Sequence, residues 1–354
     1  MADSGKRRKV RIELFDVMKA VTIFLVIVGH TTGNLETPMF RRMLYAFHMP
    51  LFFFLGGLST RPAVLRTRRE WIGFLRKNIL ALVVPYLVWG LIYAPFSYTK
   101  LPHFLYASWK SLVDLGTLTS LWYLSAFFMA RILVQLVIWL LDRLKAANLK
   151  VMCGVCAVPL MTAGFLLPRL ENGYPWCLDV SLVAAGYVLL GIALRSQVLV
   201  LAQGKVSLLV TVCLLSLGLF LGGTLLRGDS LYLCLMCNAD YGNVFWFLLN
   251  SVTGSLLVMS ACMLLVRMAR EGFRPFSTSV ITYIGQRTLG IFLLHKNMLQ
   301  ELILPWIRSW MHAPQLVTAL LGSCIALVAS MLLCMLIERY VPQLLGQFPR
   351  YEQS

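Results

Sequence analysis

Asp16-Val17-Met18-Lys19-Ala20-Val21-Thr22-Ile23-Phe24-Leu25-Val26-Ile27-Val28-Gly29-His30 is the stretch that decides the fold of this chain. It is apolar enough to cross a bilayer, yet it carries an acid, a base and an imidazole. Lys19 and His30 lie eleven residues apart and Asp16 and His30 fourteen, close to whole numbers of helical turns. The spacing therefore sets all three side chains on one face of a helix. At about 1.5 Å per residue, His30 stands roughly 16 Å beyond Lys19 along the axis. Ionisable groups inside a membrane span are costly and mark a water-filled path or a reaction site. The competing interpretation is a helix-end ion pair with a histidine solvated at the far interface.

Composition agrees with a membrane span. Hydrophobic residues make up 59% of the 354 and charged residues only 13%, more apolar surface than a soluble domain can hide. Hydropathy predicts an all-α polytopic integral membrane protein with about ten transmembrane helices. The spans fall near 14–33, 43–60, 78–97, 120–141, 151–168, 176–194, 206–226, 244–266, 280–300 and 315–337. The longest polar stretches are too short for an independent soluble core.

The net charge of +17 follows topology. Lys6, Arg7, Arg8, Lys9 and Arg11 precede the first span, and Arg61, Arg66, Arg68, Arg69, Arg76 and Lys77 separate the second from the third. By the positive-inside rule these segments are cytoplasmic, as are 142–150, 195–205, 267–279 and the tail from Arg339. Lys100, Arg227 and Arg308 fall in the sparser outer loops. The N- and C-termini are thus expected in the cytoplasm and the chain in the cell membrane, although the Arg41-Arg42 pair opposes the assignment locally. The charge is an orientation signal, and no nucleic-acid partner is expected. No small-residue cleavage site follows a short apolar core, so the first span is not expected to be a signal peptide. The organisation expected is a basic segment 1–13, a membrane domain 14–338 and a tail 339–354.

Nine cysteines include Cys153-x-x-Cys156, within the fifth span, and Cys234-x-x-Cys237, in an outer loop. Neither has the partners of a zinc site, and no metal is expected. A disulfide between Cys234 and Cys237, or to Cys177, is an open alternative on an oxidising side of the membrane. Three of the five histidines, His30, His48 and His295, fall near the outer ends of spans one, two and nine. Histidine is the side chain best suited to move a proton near neutral pH. Pro50, two residues after His48, is expected to break or kink the second helix. Arg131 in span four and Arg287 in span nine need a polar cavity or an anion. Glu338, at the inner end of span ten, is a candidate counter-ion.

These residues resemble a known family. Asp16-x-x-Lys19 followed by His30 is similar to the first-helix motif of the membrane-bound acyltransferase-3 family. Phe47-His48-Met49-Pro50-Leu51-Phe52-Phe53-Phe54-Leu55-Gly56-Gly57 resembles its second-helix signature, and Leu121-Trp122-Tyr123-Leu124 the opening of its fourth helix. Tyr283-Ile284-Gly285-Gln286-Arg287-Thr288-Leu289 through His295 resembles its late segment, with Thr288 in a serine position. The nearest branch is that of fucose 4-O-acetylase-like enzymes. The resemblance implies transfer of an acyl group, commonly acetyl from acetyl-CoA, to a hydroxyl of a sugar, polysaccharide or lipid-linked glycan, with His30 catalytic. One departure is that many members carry Arg-x-x-Arg before the third helix, ahead of a Pro-Tyr like Pro85-Tyr86; here Arg76-Lys77-Asn78-Ile79 stands instead.

The spacing accommodates that chemistry. Lys19, Arg76, Lys77 and Arg287 are candidates to hold the anionic end of cytosolic acyl-CoA. Its thin arm would rise to a thioester near His30, which as general base would activate the acceptor hydroxyl. His48 and Asp16 are candidate catalytic partners, and His295, Trp122 and Tyr123 candidate substrate contacts. No bound cofactor is expected, acyl-CoA being a substrate. The alternative from another class is a secondary transporter or polysaccharide exporter using the same polar pocket; no inverted-repeat hydropathy supports it.

Overall fold

The computed structural model describes residues 12–31, 38–93, 101–115, 117–226, 234–272, 278–310 and 315–348. The basic residues Lys6 to Arg11, Lys100, Arg227 and the end of the expected tail lie outside them. Among the described residues fifteen α-helices follow one another: α1 Glu13–Thr31, α2 Pro38–Ser59, α3 Arg68–Asn78, α4 Val84–Tyr93, α5 Leu101–Tyr106, α6 Trp109–Asp114, α7 Trp122–Arg143, α8 Leu149–Leu166, α9 Leu178–Ala202, α10 Val206–Leu225, α11 Val244–Arg270, α12 Thr278–Gln286, α13 Thr288–Asn297, α14 Leu304–Trp310 and α15 Gln315–Tyr340. Among the described residues eight helical segments are long and apolar enough to cross a membrane.

Long-range ties sort the helix ends into two faces. On one, Arg270 bonds Glu13 at 3.2 Å, Arg66 bonds Asp142 at 2.9 Å, Arg195 donates to the Leu58 carbonyl, and Arg287 bonds Glu338 at 2.7 Å. On the other, Tyr45 donates to the Gly29 carbonyl at 3.4 Å, Ser108 to that of Asn172 at 2.6 Å, and Arg169 bonds Asp240 at 2.5 Å. By these ties α2 runs from the Gly29 face to the Arg195 face. The run α12–α13 rises from Arg287, beside Glu338, to His295, beside His30. Both run from face to face, while by length and composition the described residues hold eight spans against the ten or so expected. Glu13 and Glu338 share the basic face, so the two ends of the domain lie on one side.

Helix α1 is the hub. It packs on α2, α11, α12, α13 and α15, because a helix carrying Asp16, Lys19 and His30 cannot turn those groups to lipid. The closest approach is at Gly285 of α12, where an added Cβ would stand 2.9 Å from the Asp16 Cα and nearer still to its carbonyl. Helices α2 and α9 meet through Gly57 and Gly191, and a Cβ on Gly57 would lie 2.9 Å from the Gly191 Cα. Small residues that let backbones approach are the usual currency of packing between membrane helices.

Three local expectations need correction. Helix α2 continues as one helix through Pro50; proline removes a single donor there, and packing against α1, α9 and α11 holds the rest. The ninth span is not one helix. It breaks at Arg287, whose backbone (φ −113°, ψ 16°) leaves the helical region, and passes through a π-helical turn at Met298–Ile303. Arg287 is held there by the Glu338 carboxylate and by the Tyr283 ring, 3.5 Å from its guanidinium carbon. The third span begins ten residues earlier than hydropathy predicts, at Arg68, with a π-helical turn at Ile79–Val83. Its start is a capping box in which Thr67 and Arg66 amides donate to Glu70 at 2.9 and 2.8 Å.

Two measurements check this architecture. Gly57→Val should destabilise the detergent-solubilised protein by about 1–3 kcal/mol, as for other overpacked interiors, and so lower its melting temperature. Gly73→Ala, where nothing lies within 4 Å, should leave it unchanged. Cysteines introduced at Arg68 and Glu171 should react with an impermeant maleimide from opposite sides of the membrane. Labelling of both from one side would overturn the assignment of faces.

Candidate functional site

Where α1, α2 and α13 converge on the face opposite the basic loops, the three histidines meet. His30 and His295 have ring centroids 5.2 Å apart, tilted by 46°. His48 joins through Tyr45, whose ring stands edge-on to it at 5.0 Å and whose hydroxyl reaches the Gly29 carbonyl. Arg41 lies over the same tyrosine at 5.1 Å. The end of α1 is fixed from behind, since the Thr31 hydroxyl meets that of Ser323 on α15 at 3.2 Å.

The three rings are not equivalent. His48 Nδ1 lies 2.6 Å from the Leu44 carbonyl, and His295 Nδ1 lies 2.8 Å from that of Phe292. A carbonyl only accepts, so both Nδ1 atoms carry hydrogens, and each neutral ring presents Nε2 as its basic nitrogen. His295 is fully buried, and its Nε2 has no hydrogen-bond partner among the described residues. A buried acceptor left open is uncommon and marks a place that another donor completes. His30 differs: it is half-buried, and among the described residues no hydrogen bond fixes its ring. It is the histidine a substrate can reach, with a bare imidazole nitrogen beside it. Lys296, 9% exposed, and Arg41 lie close enough to His30 to bear on its charge.

Other residues singled out in the sequence fall into two groups. Tyr123 packs against Phe52, Phe53, Phe127 and Phe292, and Phe292 in turn lies 5.6 Å from His295. Trp122 packs on Phe53. Both are buried in an aromatic wall, Tyr123 one ring removed from His295 and Trp122 behind it. Asp16 and Lys19 pair at 3.9 Å at the other end of α1. Fourteen residues put Asp16 about 21 Å from His30 along the axis, so Asp16 does not touch the histidine as a catalytic partner would. Arg287 is engaged by Glu338, which also accepts from Gln347 at 2.8 Å. Arg76 and Lys77 stand exposed near the end of α3. Arg131 sits half-buried over the Phe127 ring at 5.7 Å, its Nε buried without a hydrogen-bond partner.

All nine cysteines are free, so the disulfides considered for Cys234, Cys237 and Cys177 are absent. Instead Cys177 donates to the Ala107 carbonyl at 3.3 Å and Cys237 to Asn238 Oδ1 at 2.9 Å. Among the described residues no three His, Cys, Asp or Glu side chains gather as a metal site would require. The sequence reading missed Tyr45, which its place one turn before His48 could have disclosed, and the buried Lys296 next to His295.

Comparison with known proteins bears on this geometry. Residues 12–339 match the acyltransferase-3 family model, described as an acyltransferase domain. Nodulation protein NolL of Mesorhizobium japonicum is 29% identical over 177 residues, 46% of this chain and 46% of its own length. NolL of Sinorhizobium fredii is 30% identical over 83 residues, 21% of this chain and 22% of its own. The chain thus matches less than half the length of these curated relatives. No solved structure matches. A polytopic helical bundle matched over nearly its whole length in this way belongs to the acyltransferase-3 family.

Proposed function

We propose that this protein is a membrane O-acyltransferase that moves an acetyl or other short acyl group from cytosolic acyl-CoA to a glycan hydroxyl at the far face, in the cell membrane. The observation that carries the proposal is the half-buried His30 lying 5.2 Å, ring to ring, from His295 with its open Nε2. His30 takes the acceptor's proton as the oxygen attacks the thioester carbonyl, and the CoA thiolate leaves and is protonated. With Nδ1 committed to backbone, His295 accepts at Nε2 from the protonated His30 and steadies its charge. Lys296 and Arg41 supply positive charge near the developing oxyanion. Direct transfer and an acyl-histidine intermediate both balance, and rapid quenching with labelled acetyl-CoA separates them. The resemblance to fucose 4-O-acetylase-like enzymes supports a sugar as acceptor.

The donor would arrive from the basic face. Arg76 and Lys77 are exposed there and suited to the phosphates of CoA. Lys19 and Arg287 are already engaged by carboxylates, and their contribution to donor binding would require sharing or opening those pairs.

CoA release by purified protein, given acetyl-CoA and glycan acceptors, tests the reading. His30→Ala should fold and purify normally yet lose transfer by about 10²- to 10⁴-fold, the scale of general acid–base groups. His30→Gln should be nearly as inactive, since it keeps hydrogen bonding and loses basicity. The wild-type rate should rise with pH as the imidazole loses its proton. A well-folded His30→Ala protein with near-normal transfer would sink the catalytic assignment.

Replacing Arg76 and Lys77 together by Ala should raise the acetyl-CoA KM more than it lowers kcat. An unchanged KM would show that the two residues set topology alone.

A further inference from the structure

On the histidine face, beside the cluster but distinct from it, the end of α8, the start of α9 and the segment before α11 enclose a cleft. Its enclosed volume is about 80 Å³, the rest opening to solvent, and its walls include Phe165, Arg169, Asp179, Tyr241 and Gly242. Nothing in the chemistry described above uses it.

Its polar groups are incompletely satisfied. Tyr241 is only 4% exposed, and its hydroxyl is buried with no hydrogen-bond partner among the described residues. Asp179, 6% exposed, accepts from the Val180 amide at 2.9 Å, and no cation among the described residues pairs with it. The two face the same space, close enough for Asp179 to bear on the phenol. Arg169 is committed to Asp240 at 2.5 Å. The backbone is held in unusual shapes around this spot: Ala239 has φ +52° and Gly242 φ +59°, both in the cleft wall. A non-glycine residue in the left-handed region costs free energy and clusters at ligand clamps.

The charge balance narrows the ligand. The one cation in the cleft wall, Arg169, is committed to Asp240, which leaves no guanidinium for phosphate or other anions. Carboxylate oxygens require donors, and an unpartnered phenol is best met by an acceptor. Sugar hydroxyls are both at once, and the ring of Phe165, edge-on to Tyr241 at 5.0 Å, offers an apolar surface to a sugar's C–H face. The segment bearing Tyr241 also borders the histidine site, because Cys237 lies within electrostatic reach of Lys296 and Tyr45.

We infer that the Asp179–Tyr241 cleft is a neutral-sugar subsite, holding a glycan residue of the acceptor away from the reacting hydroxyl. The inference rests on the acyltransferase reading and extends it to the acceptor. Binding energy gathered at a remote subsite positions the reacting group.

The test uses the full-length protein in nanodiscs, probed with an array of labelled neutral mono- and oligosaccharides together with choline and ethanolamine headgroups, and in parallel for His30-dependent CoA release. Wild type and His30→Ala should retain the same oligosaccharides. The near-isosteric Asp179→Asn and Tyr241→Phe, with unchanged melting temperatures, should bind them at least tenfold more weakly. Both should keep the acetyl-CoA KM of wild type. Undiminished glycan binding by both variants would overturn the subsite. So would an array with no retained glycan while His30-dependent CoA release persists, a result that leaves the acyltransferase reading standing. Retention of choline or ethanolamine headgroups in place of sugars would overturn it as well. Glycan binding lost in Asp179→Asn with no CoA release from wild type would support the cleft and sink the enzyme.

Discussion

The rest of this structure depends on the burial of α1. A helix that carries Asp16, Lys19 and His30 through the bilayer is excluded from lipid by the cost of its own side chains, so the bundle is built around it. Gly285 lets α12 settle on the Asp16 backbone, and Thr31 is fastened to Ser323 of α15. Two chemically different ends result. One holds ion pairs among basic loops, and the other holds imidazoles.

The ends differ in how far their polar groups are satisfied. On the basic face Asp16 and Lys19 pair, and Arg287 is bonded to a carboxylate and laid on an aromatic ring. Pairing of this kind stabilises charge within a membrane and fixes how the helices sit. On the histidine face, His295 keeps an open nitrogen and Tyr241 an open hydroxyl. Unsatisfied buried groups are costly, and a fold retains them where a ligand completes the bonding.

Much of the fold was legible in the sequence because the bilayer is a simple solvent. Apolar runs mark the spans, and the arginines between α2 and α3 fall on the face where Arg195, Arg270 and Arg287 also make their ties. The meeting of His30, His48 and His295 was accessible too, since all three fall at one depth. What remained hidden depends on packing in three dimensions. Arg287 reads as a candidate for a phosphate until Glu338, fifty-one residues later, is found beside it. The break at that arginine leaves no mark in hydropathy, because both halves stay apolar. Asp179 and Tyr241 are sixty-two residues apart, with neither motif nor periodicity to join them. Asp16 misled in the opposite way: it shares a helical face with His30, but a shared face over four turns is alignment without contact.

The π-helical turn at Ile79–Val83 ties α3 to α4 by one residue more than an α-helix would use. Each residue of an α-helix turns the chain by about 100°, so this extra residue fixes where the exposed Arg76 and Lys77 point relative to Tyr86 and Trp89, which are buried in the bundle. Removing one residue there would leave a segment as apolar, as helical and as able to cross the bilayer as before. Yet it would swing the cationic end about a quarter-turn around the axis while the buried half stayed in place. The rotational register of this helix is thus a trait that length and hydrophobicity do not protect, and sequences of equal hydropathy can differ in where they present their cations.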